Sequence, residues 1–180
     1  VTTAQVVDAG IPRARITDMV KSDKLARVQR GVYCLTDAWE DEFLATQLRF
    51  PKGIFSDGTA LYLLGCTNRT PFKLSMTFPR SYRTTKAREA DIEVRTCAND
   101  VLDLGLTTLK TPYGNEVKGY DLERTLCDML RGRQDVDVQM LNPAMQQYVK
   151  NDSKNIQKLL EYASALGVER KMRNYLEVLL

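Results

Sequence analysis

Residues 1–35 read VTTAQVVDAGIPRARITDMVKSDKLARVQRGVYCL, and the order of signals within them decides the fold. Thr2 or Thr3 offers a side-chain oxygen to cap a short helix through Ala4, Gln5, Val6, Val7 and Asp8. Gly10 ends it, because glycine accepts the left-handed backbone that helix ends require. Pro12 suits the first turn of a second helix, predicted over 12–22. Two short helices around a glycine-containing turn form a helix-turn-helix pattern. In the second helix Ile16, Met19 and Val20 stand at i, i+3 and i+4 and are expected to form its buried stripe. The opposite face then holds Ala14, Thr17, Asp18 and Lys21, with Arg15 on its flank and Arg13 in the first turn. Small, polar and basic side chains are what a major groove accepts. Asp18 is the awkward member; it either accepts from a cytosine amine or points at solvent.

After Lys24 the period changes to two. Residues 25–29 and 32–35 predict two strands around a turn at Arg30 and Gly31. A hairpin after a recognition helix is a wing. The candidate DNA contacts are therefore Arg13, Arg15, Thr17 and Lys21 for the major groove, and Lys24, Arg27, Gln29 and Arg30 for the backbone or minor groove. A complete winged helix has an earlier helix packed behind these two. That helix is expected upstream of Val1, which is not an initiator methionine.

The chain of 180 residues, 43% hydrophobic, suffices for one sizeable core or a small module plus a medium domain. The longest apolar run, 60–64, is far below the roughly 20 residues of a membrane span. Cys34, Cys66, Cys97 and Cys127 are too far apart for a metal knuckle, and contexts such as Val-Tyr-Cys-Leu predict buried free thiols in a reducing cytosol. There is no histidine, which removes Ser-His-Asp and Cys-His catalysis and the commonest metal ligand. Phosphate-loop, dinucleotide and Ser-x-x-Lys signatures are absent too. The net charge of +3 is modest, but its distribution is uneven. Residues 1–35 carry six Lys/Arg against three Asp, and residues 67–95 seven against three acids.

Beyond residue 36 the pattern is mixed. A connecting helix is predicted over 37–50, with Trp39, Phe43, Leu44 and Leu48 on one side and Glu40, Asp41 and Glu42 in its first turn. A short buried helix follows over 59–65, and strands over 73–79 and 92–95. Residues 107–113 and 116–120 read as a hairpin closed at Gly114-Asn115. Asp121 caps a helix with the stripe Leu122, Leu126, Met129 and Leu130. Two further helices carry the stripes Ile156 to Leu166 and Val168 to Leu179. The expected fold is α+β: a winged helix-turn-helix over 1–36, then a larger mixed α/β domain over 37–180 ending in helices.

Three further groups carry chemistry. Asp91 and Glu93, two apart on a strand, point the same way and form a candidate Mg²⁺ pair for an enzyme, although Arg95 stands where a nuclease pattern has lysine. A solvated strand face is the plainer reading. Arg69, Lys73, Arg80, Arg83, Lys86 and Arg88, with Tyr82 among them, form a loose basic stretch that suits phosphate contacts or is simply surface charge. Arg124 and Asp128 are spaced to pair along one helix.

The turn Ala9-Gly10-Ile11, the wing Arg30-Gly31-Val32-Tyr33 and the segment Gly58-Thr59-Ala60-Leu61 resemble the AbiEi family of abortive-infection antitoxins. So do Tyr120 to Asp128 (YDLERTLCD) and the closing Tyr162-Ala163 helix. The resemblance implies the antitoxin of a type IV toxin–antitoxin phage-defence system. Its winged helix represses the operon by binding inverted repeats in double-stranded promoter DNA. Its C-terminal domain counteracts a nucleotidyltransferase-like toxin without a stable complex, and can also contribute to DNA binding. The expectation is a cytoplasmic, non-enzymatic protein without cofactor or metal, a monomer or weak dimer, not bound to membrane. The alternative is a stand-alone winged-helix regulator whose larger domain senses a ligand.

Overall fold

The computed structural model describes residues 1–29, 31–36, 41–131 and 138–179, with backbone alone at 28 and 29. The chain divides into two compact units, Val1–Pro51 and Lys52–Leu180. The expected first domain, 1–36, lies inside the first unit, which also holds a third helix.

The first unit runs α1 (Thr3–Asp8), α2 (Arg13–Lys21), β1 (Leu25–Gln29), β2 (Val32–Leu35) and α3 (Glu42–Arg49). Thr2 caps α1 through a reciprocal box: its hydroxyl accepts from Gln5 N–H, and the Gln5 side chain accepts from Thr2 N–H. Gly10, at φ +77°, makes the turn into α2. β1 and β2 pair antiparallel, with Arg27 opposite Tyr33 and an irregular register between Arg27 and Gln29. The N-terminus extends this hairpin: Thr2 bridges Val32, and Val1 N donates to Tyr33 O at 2.7 Å. Helix α3 begins later than the sequence suggests. Asp41 is its cap, accepting from Phe43 and Leu44 N–H, so Asp41 lies outside the first turn. Phe43 is buried as expected, Leu44 and Leu48 half-buried, and Trp39 and Glu40 lie outside the described residues.

The second unit holds β3 (Ile54–Phe55), α4 (Asp57–Leu63), β4 (Ser75–Pro79), α5 (Thr85–Glu89), β5 (Glu93–Cys97), β6 (Leu106–Lys110), β7 (Glu116–Tyr120), α6 (Leu122–Leu130), α7 (Val138–Lys150), α8 (Ile156–Ala165) and α9 (Glu169–Leu179). The five strands form one mixed sheet in the order β5-β4-β3-β7-β6. β4 and β5 are parallel, and α5 lies in the connection between them. β6 and β7 form the expected hairpin. An apolar core of Leu61, Leu126, Leu130, Leu141, Met145, Leu159 and Met172 joins α4 to the helices α6–α9. The fold is thus mixed α and β. Two-residue β3 is too short to leave a periodic signal, and Pro143 inside α7 is the breaker that conceals a 13-residue helix.

Candidate nucleic-acid interface

Helix α2 is held by a narrower apolar contact than its sequence suggests. Ile16 is buried at 5% exposure and Val20 is half-buried, but Met19 is 37% exposed. The expected three-residue stripe is therefore corrected to Ile16 and Val20. A short helix with one neighbour on each side, α1 and β1, has too little packing partner to cover a third residue.

The remainder of α2 faces solvent. Arg13, Ala14, Arg15, Thr17, Asp18 and Lys21 are all exposed. Ala14, Thr17, Asp18 and Lys21 share one face by the i, i+3, i+4, i+7 rule. None of Arg13, Arg15, Asp18 or Lys21 makes an ion pair among the described residues. Pro12 caps α2 without a side-chain hydrogen bond, and no acid stands in its first turn. The helix thus presents uncapped N–H groups flanked by two arginines, the arrangement that receives a phosphate.

Lys24 and Arg27 are also exposed. Asp23, at φ +58°, ends α2 in a left-handed residue, and Lys24 N then donates to Met19 O at 2.9 Å. The Thr36 hydroxyl donates to Asp23 O, closing the base of the hairpin against the helix end. Gln29 takes its backbone place opposite Val32, while its side chain and the whole of Arg30 lie outside the described residues. Six of the eight candidate contacts therefore have described side chains, all exposed and all within about fifteen residues of chain.

In the second unit Asp91 and Glu93 do not share a strand, as the candidate Mg²⁺ pair assumed. Asp91 precedes β5 in a left-handed turn at φ +58° and is bound by Lys73 Nζ at 2.5 Å. Glu93 opens β5 and accepts from Ser75 Oγ at 2.9 Å. The turn breaks the strand alternation on which the expectation rested. Among the described residues no group of three or more acids or cysteines is placed to hold a metal.

The polar residues of the 120–128 motif turn inward. Asp121 caps α6 by accepting from Arg124 N–H, and pairs with Lys158 of α8 at 2.9 Å. Glu123 accepts from Tyr148 Oη and Lys158 Nζ. Arg124 and Asp128 pair along α6 as their spacing predicts, at 2.8 Å, and the pair is buried, 0% and 1% exposed. The Arg124 guanidinium lies 4.2 Å over the Tyr120 ring and donates to the carbonyls of Val101 and Leu104. Gly105 is required beside it: a Cβ there would stand 2.5 Å from Arg124 Cβ. Burial pushes the Cys127 thiol up to about 12, and the Tyr120 hydroxyl well above its usual range against the pull of Arg124. Both shifts favour the uncharged forms.

A second ion pair, which the sequence does not reveal, lies nearby. Arg95 donates through Nε and Nη2 to the Asp57 carboxylate and through Nη1 to Asp128 O. Asp57 opens α4 at φ +49°. Burial raises its carboxyl to about 6, although Arg95 pulls it down and Asp128 adds repulsion. The two partners are 38 residues apart, so no local spacing announces them. The four charged groups clamp β5, α4 and α6 together.

The model of the family described as "Transcriptional regulator, AbiEi antitoxin" matches residues 1–36. No curated protein matches the chain. Among solved structures, the RV2827C protein from Mycobacterium tuberculosis is similar, with a TM-score of 0.53 and 14% sequence identity over 97% of this chain and 73% of that one. At that identity the likeness is one of fold. No helix among the described residues is long and apolar enough to cross a membrane.

Proposed function

We propose that the first unit is a winged helix-turn-helix and that the protein is a transcriptional repressor of its own operon. In this reading α2 is the recognition helix and β1–β2 the wing. The observation that carries it is the exposed, unpaired face of α2, with Arg13, Arg15 and Lys21, inside the segment that matches the antitoxin regulator family. Arg13 and Thr17 stand where a recognition helix meets base edges, and Lys24 and Arg27 where a wing meets the backbone. The DNA is a promoter fragment with inverted repeats, read by two monomers or a weak dimer. The second unit counteracts a nucleotidyltransferase-like toxin without a stable complex. The protein acts in the cytoplasm, is not an enzyme and uses no cofactor.

The deciding experiment is binding to the protein's own upstream promoter fragment at two salt concentrations, beside a scrambled fragment. Preferential binding that weakens steeply with salt is expected. Equal binding to both fragments would defeat the repressor reading.

A second reading has one observation in its favour. A cavity of about 420 Å³ opens between α7 and α9, lined by Asn142, Gln146, Asn174, Tyr175, Val178 and Leu179. That volume fits a small molecule, as a ligand-responsive regulator would need. A nucleotidyltransferase gene found downstream of this one would argue against it, and the absence of one would favour it.

A further inference from the structure

The second unit carries a basic surface of its own, and the pairing within it decides which cations are available. In residues 67–95 Lys73 is taken by Asp91 and Arg95 by Asp57. Arg69, Arg80, Arg83, Lys86 and Arg88 are exposed and make no ion pair among the described residues. Of the three acids in the stretch, Asp91 is paired with Lys73, which leaves Glu89 and Glu93 as opposing charges, Glu93 also accepting a hydrogen bond from Ser75. Lys86 and Arg88 lie in the last turn of α5, and Arg80 and Arg83 on the chain leading into it.

At the Ser75–Glu93 end of β4 and β5, the end to which α5 returns with Arg88, stands Phe72, 96% exposed; Arg80 leaves the opposite end, where its N–H donates to Cys97 O. A single exposed phenylalanine is ordinary on a protein surface; its neighbours distinguish this one. The loop 67–73 is tied to the end of α5, because Lys73 holds Asp91 and Asp91 N donates to Arg88 O at 3.0 Å. Phe72 thereby lies at the end of the sheet where α5 delivers Arg88, with Arg69 three residues away along the loop. The other aromatic of the stretch, Tyr82, is already stacked on Phe78 with centroids 4.9 Å apart. Phe72 makes no ring contact among the described residues.

We propose that the loop 67–73 and the α5 crossover form a binding site for single-stranded nucleic acid. The Phe72 ring stacks on an unpaired base, Arg69 and Arg88 hold the phosphates beside it, and Lys86, Arg83 and Arg80 continue the cationic track along the crossover toward the opposite end of β4. Free aromatic faces beside a run of cations bind single strands without regard to sequence, because every base has a π-face and every nucleotide a phosphate. A duplex fits poorly: its bases are already stacked, and five-residue α5 is too short to enter a major groove. This site is separate from the promoter-reading face and does not rest on that reading.

The test is fluorescence anisotropy of labelled oligouridylate and oligothymidylate of about 12 nucleotides with the full chain. Unlabelled duplex and inorganic polyphosphate serve as competitors. Salt-sensitive binding to one or both strands is expected, and the preferred sugar identifies RNA or DNA. Phe72→Ala should lose about tenfold in affinity, Phe72→Trp should retain it with indole quenching on binding, and Arg83→Ala/Lys86→Ala/Arg88→Ala should also flatten the salt dependence. Arg13→Ala/Arg15→Ala should leave it unchanged. Phe72 is fully at the surface, so folding is not at stake in its variants. Three results overturn the proposal: no binding at low salt, Phe72→Ala binding like wild type, or duplex or polyphosphate competing as well as a single strand.

Discussion

Helices α2 and α6 are each nine residues long, one in each unit, and each carries acids and bases. α2 buries Ile16 alone and turns Arg13, Arg15, Asp18 and Lys21 to water. α6 buries seven residues in succession, Arg124 to Leu130, with its charges paired in the interior. The same residue types therefore do opposite work. A buried pair is costly to desolvate, the more so here because Arg124 Nη2 and Asp128 Oδ1 have no hydrogen-bond partner among the described residues, and removing one member leaves the other uncompensated. An exposed, unpaired cation adds little to stability, so a cluster of them on a thinly packed helix points to a partner outside the molecule. In that sense α2 can be changed without harming the fold, and α6 cannot.

The largest effect should come from breaking the buried pair. Arg124→Met leaves the Asp128 carboxylate uncompensated and should cost about 3–5 kcal/mol in urea unfolding of the full chain. Replacing both partners by apolar residues should recover much of that loss. If the single variant unfolds like wild type, the contrast with α2 collapses. The second pair should show in the pH dependence. The folded-state value for Asp57, about 6, lies above its ordinary value of 3.8, so the folded protein binds the proton more tightly. Stability from this group is complete below about pH 4 and lost as pH rises through 6, on the order of 2 kcal/mol. Asp57→Asn, in which asparagine tolerates the left-handed backbone, should remove that component. A variant whose urea midpoints track wild type from pH 4.5 to 7.5 would refute it.

On α2 the effects should fall on binding instead. Arg13→Ala should weaken promoter binding by about 1–3 kcal/mol if it reaches a base, with the unfolding midpoint unmoved. Lys24→Ala should lower binding to all sequences alike and reduce the salt slope by about one. The smallest change is at the cap. Thr2→Ala removes the bond to Gln5 N–H and should cost about 1 kcal/mol, detectable as earlier amide exchange in α1. Exchange in α6 should be untouched.

The first unit was largely legible because its signals are local. Thr2 and Gln5 form a cap within three residues, Gly10 and Pro12 sit within two, and the strand alternation of 25–29 and 32–35 is read directly. The exposed polar face of α2 followed from the same periodicity. What failed there was Met19, because periodicity says which side chains share a face and not whether a neighbour is wide enough to cover them. In the second unit the hairpin of β6 and β7 and the stripe of α6 were legible, both within about fifteen residues of chain. The acid pair 91/93 misled because one left-handed residue, Asp91, removes it from the strand.

Local sequence settles much of what depends on neighbours: the cap of α1 and the turn into α2, the two hairpins, and the face on which α2 carries its cations; composition excludes histidine-based chemistry. Spacing alone left open the fate of Arg124, which a surface helix and a buried one would write with the same letters. It was equally silent on Arg95 reaching Asp57 across 38 residues, and on Lys73 bringing the Phe72 loop to the end of α5. Those pairings arise only when sheet and helices close on one another. Closure decides which charges lose water and must find each other, and which remain at the surface for a partner.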